Sequence, residues 1–96
     1  MVINMSVSTK TSHDLNELFT KLLFLIQSGF YEYGYCSFYI ASSGGNSIEI
    51  FANDKTLFRG NDAACQRVFK ELLKRLKKQN YRITGDKEYL TIRRNI

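Results

Sequence analysis

The sequence predicts an α+β fold: a two-layer sandwich in which an antiparallel sheet carries two amphipathic helices on one face, in the order (β)-α-β-β-(β)-α-β-β. Three observations carry that expectation. Two stretches, 14–28 and 62–79, repeat apolar residues at helical spacing. Shorter stretches alternate apolar and polar residues with the period of a strand, and turn-forming residues separate them. Each helix has one apolar stripe, so both fit on one side of a sheet whose other side stays open.

In chain order, residues 1–10 read as an edge strand or as a disordered terminus; Ile3, Met5 and Val7 supply a partial alternation. Asp14 with Glu17 forms a capping box, with Ser12 as the alternative cap. Leu15, Leu18, Phe19, Leu22, Leu25 and Ile26 make the buried stripe of the first helix, and Gly29 is placed to end it. The stretch 31–41 then reads as a strand, with Cys36, Phe38 and Ile40 on one face and Tyr31, Tyr33, Tyr35 and Tyr39 on the other. Ser42-Ser43-Gly44-Gly45-Asn46 is a turn by composition, and 47–52 returns as a strand. In that pairing Phe38 and Ile40 meet Ile48 and Ile50, while Tyr35 and Tyr39 share the outer face with Glu49 and Phe51.

After the Asn53-Asp54 turn, residues 55–59 form a short strand or extended linker. Asn61 or Asp62 caps the second helix, whose stripe is Cys65, Val68, Phe69, Leu72, Leu73 and Leu76. A closing hairpin turns at Gly85-Asp86, with Ile83, Leu90 and Ile92 inward and Arg82, Tyr89, Thr91 and Arg93 outward.

Composition bounds the function. Ninety-six residues make one domain, 1–96, with a modest core. The net charge of +5, from 14 basic and 9 acidic residues, favours anionic partners or simply keeps the chain in solution. Two cysteines, Cys36 and Cys65, both at core positions, read as buried free thiols of a reducing, cytoplasmic compartment. No apolar run approaches the ~18 residues of a membrane span. The abundance of Asn, Lys, Ile, Tyr and Phe, whose codons are AT-rich, suggests a phage or mobile-element origin.

The residues give little support to an enzyme. The one histidine, His13, adjoins Ser12 and Asp14, but neighbours in sequence cannot arrange themselves as nucleophile, base and orienter. No spacing suits a metal, no cofactor motif is present, and Gly44-Gly45 opens no helix that would cradle phosphate. The segment Tyr81-Arg82-Ile83-Thr84-Gly85-Asp86 resembles the Tyr-Arg-Ile-x-x-Gly-Asp strand pair of RelE-type ribonuclease toxins. The resemblance covers six residues, and the second helix interrupts that family's layout. It implies a toxin-like, metal-independent ribonuclease as a third reading, with no catalytic residue carried over.

Two surfaces remain. One is the basic back of the second helix, Arg67, Lys70, Lys74, Lys77 and Lys78, which suits phosphates or an acidic surface but is also how solvated helix backs look. The other is the open sheet face, with Tyr31, Tyr33, Tyr35, Tyr39, Phe51 and Tyr89 flanked by Arg82 and Arg93. Tyr and Arg dominate protein-binding hot spots, so the first expectation is a non-enzymatic regulator or inhibitor, of the host-defence-inhibitor type, docking a protein partner or a second copy of itself as a homodimer. The alternative is a single-stranded RNA or DNA binder that stacks bases on the tyrosines. Against the alternative, Glu49 is acidic on that face and the RNP1-type pattern of RNA-recognition sheets is missing.

Overall fold

A computed structural model describes the backbone of residues 2–95 and the side chains of residues 14–95. The elements are α1 (Val2–Tyr33), β1 (Cys36–Ser42), β2 (Ile48–Ala52), β3 (Lys55–Gly60), α2 (Asp62–Lys77), β4 (Tyr81–Gly85) and β5 (Tyr89–Arg94). The five strands form one antiparallel sheet in the order β3-β2-β1-β5-β4, and both helices pack on the same face of it. The α+β sandwich is therefore as expected, and the optional strand at 55–59 is real.

Three expectations about the first third of the chain are corrected. Residues 2–8 are helical backbone of α1 and not an edge strand. Asp14 and Ser12 do not cap a helix start, because α1 runs through them. Gly29 does not end α1 either. The helix continues to Tyr33 and closes at Gly34, which has φ 83° and donates its N–H to the Phe30 and Gly29 carbonyls at 3.0 and 3.1 Å. Tyr31 and Tyr33 therefore belong to the last turn of a helix, and the strand begins only at Cys36.

Gly29 serves a different purpose. It is buried, and a Cβ there would lie 2.8 Å from the Tyr35 carbonyl oxygen and 3.0 Å from the Cys36 Cβ. The absent side chain lets β1 turn back directly across the helix.

The core lies between the helices and the inner sheet face. Leu22, Leu25 and Ile26 of α1 and Cys65, Val68, Phe69, Leu72 and Leu76 of α2 meet Cys36, Phe38, Ile40, Ile50, Ala52, Leu90 and Ile92. Phe38 and Phe69 stack with centroids 4.5 Å apart. Asn61 caps α2 as expected, its Oδ1 accepting from the Ala64 N–H at 2.8 Å. Arg75 ties the helices together: it donates to Asn16 Oδ1 at 2.7 Å, and its guanidinium sits 5.8 Å above the Phe19 ring.

The expected faces of the β1–β2 hairpin hold, with a shifted register. Ile40 lies opposite Ile50, and Phe38 lies opposite Ala52 rather than an isoleucine. The β2–β3 link is a two-residue hairpin turn with Asn53 at φ 55° and Asp54 at φ 66°, residue types that tolerate the left-handed region. A bulge between Ile50 and Phe51 shifts the β2–β3 register, and Leu57 is buried in the core with Phe58 packed against it.

Candidate functional site

The open face of the sheet is built from the residues that alternate with the core. The strand pairings set them in rows. The middle row is aromatic. Phe51 of β2 and Tyr89 of β5 flank Tyr39 of β1, each with its ring centroid 5.0 Å from that of Tyr39 and its plane within 21° of parallel. That separation is close to the spacing between strands, so the rings stand side by side and their faces meet one another. Their edges point to solvent; Tyr89 is half exposed, and Tyr39 and Phe51 are partly buried.

The middle ring is fixed. The Tyr39 hydroxyl donates to Asp54 Oδ1 at 2.9 Å, and the Asn53 N–H donates to the Ser37 carbonyl at 2.7 Å beside it. Burial first, and then the Asp54 carboxylate, pushes the Tyr39 phenol up to about 12.

Next to this row lies a polar cluster. Glu49 is 4 % exposed although it faces outward from the sheet. It accepts from Thr56 Oγ1 at 2.6 Å and pairs with Arg59 Nε at 3.4 Å. Hydrogen bonds from Ser43 and Thr56 hold its carboxyl below the usual range, with Arg59 adding to them.

At the other end of the face, Tyr35 lies under Arg93, whose guanidinium is 5.2 Å from the ring centroid. Arg82 lies directly opposite Arg93 on β4. Tyr33 is 6.2 Å from Tyr35, with the ring planes tilted by 48°.

The structure thus divides the patch expected from sequence. Tyr39, Phe51 and Tyr89 form one row, and Tyr33, Tyr35, Arg82 and Arg93 form a second group at the end of the sheet. Tyr31 belongs to neither: it is 91 % exposed and lies with Phe24 along the outer side of α1. Four contributors were missed in the sequence: Asp54, and Ser43, Thr56 and Arg59 around Glu49. Asp54 had a readable signal, since a two-residue turn after Ala52 sits close to the row of Tyr39. Thr56 had none, because the bulge that sets its register leaves no mark in the sequence pattern.

The basic stripe of α2 sits elsewhere. Arg67, Lys70, Lys74, Lys77 and Lys78 are exposed, and α2 packs on the core face, so the stripe lies on the far side of the domain from the aromatic row. Lys74 pairs with Glu71 at 3.6 Å. Among the described residues, no group of three or more His, Cys, Asp or Glu is placed to hold a metal. No helix is long and apolar enough to cross a membrane, among the same residues.

No family model, no curated protein and no solved structure matches this chain.

Proposed function

We propose that the protein is a non-enzymatic docking module that regulates or inhibits a larger protein partner through the open face of its sheet. The observation that carries this reading is the row Phe51–Tyr39–Tyr89. Both faces of Tyr39 and the inner faces of Phe51 and Tyr89 are already spent on one another, so the row offers chiefly rigid, amphipathic ring edges. Such edges give large contact area with little side-chain entropy left to lose, which is the character of a protein hot spot. The Tyr39–Asp54 hydrogen bond holds the central ring in place before any partner arrives. Both helices lie on the opposite face and are committed to the core there.

The test is capture of a partner from lysate freed of nucleic acid, by wild-type protein and by the Phe51→Ala/Tyr89→Ala variant, which leaves the anchored Tyr39 intact. The variant is expected to fold, with a melting curve near that of the wild type, and to lose the partner. Unchanged capture by a folded variant would refute the reading.

A further inference from the structure

The second group of the divided patch carries an inference independent of the docking row. Cys36 pairs with Ile92 and Tyr81 pairs with Arg94, so the start of β1, the start of β4 and the end of β5 share one end of the sheet. The C-termini of α1 and α2 lead into β1 and β4 and so arrive at the same end. Arg82 and Arg93 lie there on the open face, whereas Arg94 turns to the helix side, its guanidinium 5.2 Å from the Phe30 ring centroid. Arg82 and Arg93 oppose each other directly, an arrangement that is repulsive by itself. Among the described residues, neither has a carboxylate within ion-pair distance. An anion between them removes that repulsion.

The aromatic neighbours say which kind of anion fits. Tyr33 is 58 % exposed and Tyr35 38 %, and unlike the docking row their rings do not close on each other. With centroids 6.2 Å apart and planes at 48°, the two rings meet at an angle without stacking, and the exposed Tyr33 ring can take another flat group. Gly34, at φ 83°, is the sole residue between them and the turn point of the chain. Arg93 covers the Tyr35 ring at 5.2 Å.

We propose that this end of the domain binds single-stranded nucleic acid. An unpaired base stacks on the exposed Tyr33 ring beside Tyr35, and Arg82 and Arg93 take the flanking phosphates. A carboxylate from an acidic protein would satisfy the two arginines but leave the Tyr33 ring without a stacking partner. A phosphodiester strand supplies both the anion and the flat ring. Bases in a duplex are already stacked, so the Tyr33 ring selects unpaired ones.

The test is fluorescence anisotropy of short labelled oligothymidylate and oligouridylate with the full chain, against poly-glutamate as competitor. Saturable binding at low salt is expected, weakening as salt rises. In Arg82→Gln/Arg93→Gln the salt slope should flatten by about 1.4, from ~0.7 per phosphate for single strands. Tyr33→Ala should weaken binding about tenfold, the loss of one stacked base, whereas Tyr33→Phe keeps it. Melting curves confirm that each variant folds. The proposal is overturned by no anisotropy change at low salt, by Tyr33→Ala binding as well as wild type, or by poly-glutamate binding more tightly than either oligonucleotide. The last result would assign the arginines to an acidic protein. The Phe51→Ala/Tyr89→Ala variant retains oligonucleotide binding, so this proposal and the docking reading fail separately.

Discussion

The Tyr39 hydroxyl donates to Asp54 Oδ1 at 2.9 Å, tying the central strand to the turn between β2 and β3. Burial and this carboxylate raise the phenol from 10.0 to about 12, so the folded state holds the Tyr39 proton more tightly than the unfolded chain does. The stability contributed by the neutral phenol is therefore complete below about pH 10 and is lost as pH rises toward 12. Tyrosinate absorbance should show a late step near pH 12, and Tyr39→Phe should remove it. Asp54→Asn keeps an acceptor but loses the charge, so it should shift the step partway back. A late step that survives Tyr39→Phe would contradict this bond.

How far the sequence could be read depends on which side of Cys36 one stands. In the strand stretches 36–40 and 48–52 the alternation assigns the residues to their observed faces, because one face is buried and a slip would invert the whole set. Around 29–35 two periods compete. Phe30 and Tyr33 fit the helical repeat from Leu22 and Ile26, while Tyr31, Tyr33 and Tyr35 fit a strand. A glycine after an apolar helix looks like a terminator, yet Gly29 is selected by its 2.8 Å approach to the Tyr35 carbonyl, a contact between segments that no local pattern encodes. The tyrosine face was consequently predicted as a single surface, whereas the helix-to-strand boundary divides it. Arg82 and Arg93 were correctly placed outward, because the hairpin period is unambiguous there, but their direct opposition needed the observed register.

The two thiols should be silent in the native state. Cys36 and Cys65 are both fully buried, and burial pushes Cys36 up to about 12 and also raises Cys65. Since the thiolate is the reactive form, alkylation at neutral pH should proceed only as fast as the protein opens. Labelling in denaturant should be rapid at both positions. Fast labelling of native protein at either cysteine would contradict the packing of β1 and α2.

The acid limb of stability should report on Glu49. Its carboxyl is held below 4.5 by Ser43 and Thr56, with Arg59 contributing, so its stabilising share is present above that pH and disappears as pH falls through the lowered value. Glu49→Gln keeps an acceptor for Thr56 but does not titrate. Its stability should change less than that of wild type between neutral and acid pH, as read from urea midpoints. Thr56→Val should move the loss of stability toward higher pH, because one of the two leading hydrogen bonds is gone. If Glu49→Gln follows the wild-type acid profile, other carboxylates govern that limb.

The last prediction sets helix propensity against close packing. Replacing a glycine inside a helix by alanine ordinarily stabilises by ~1 kcal/mol. At Gly29 the new Cβ meets the Tyr35 carbonyl oxygen at 2.8 Å and the Cys36 Cβ at 3.0 Å. The first of these is backbone and cannot rotate away, so β1 must move off α1, at a cost on the order of 1–3 kcal/mol for an overpacked site. Gly34→Ala meets no atom within 4 Å and suffers only the backbone strain of φ 83°, about 1–2 kcal/mol. Both variants should melt below the wild type, for different reasons. Gly29→Ala should also disturb the start of β1, seen as faster amide exchange at Cys36 and Ser37, while Gly34→Ala should leave the protection of β1 intact. A stabilised Gly29→Ala would mean that the strand does not cross the helix this closely, and that Gly29 is tolerated there rather than required.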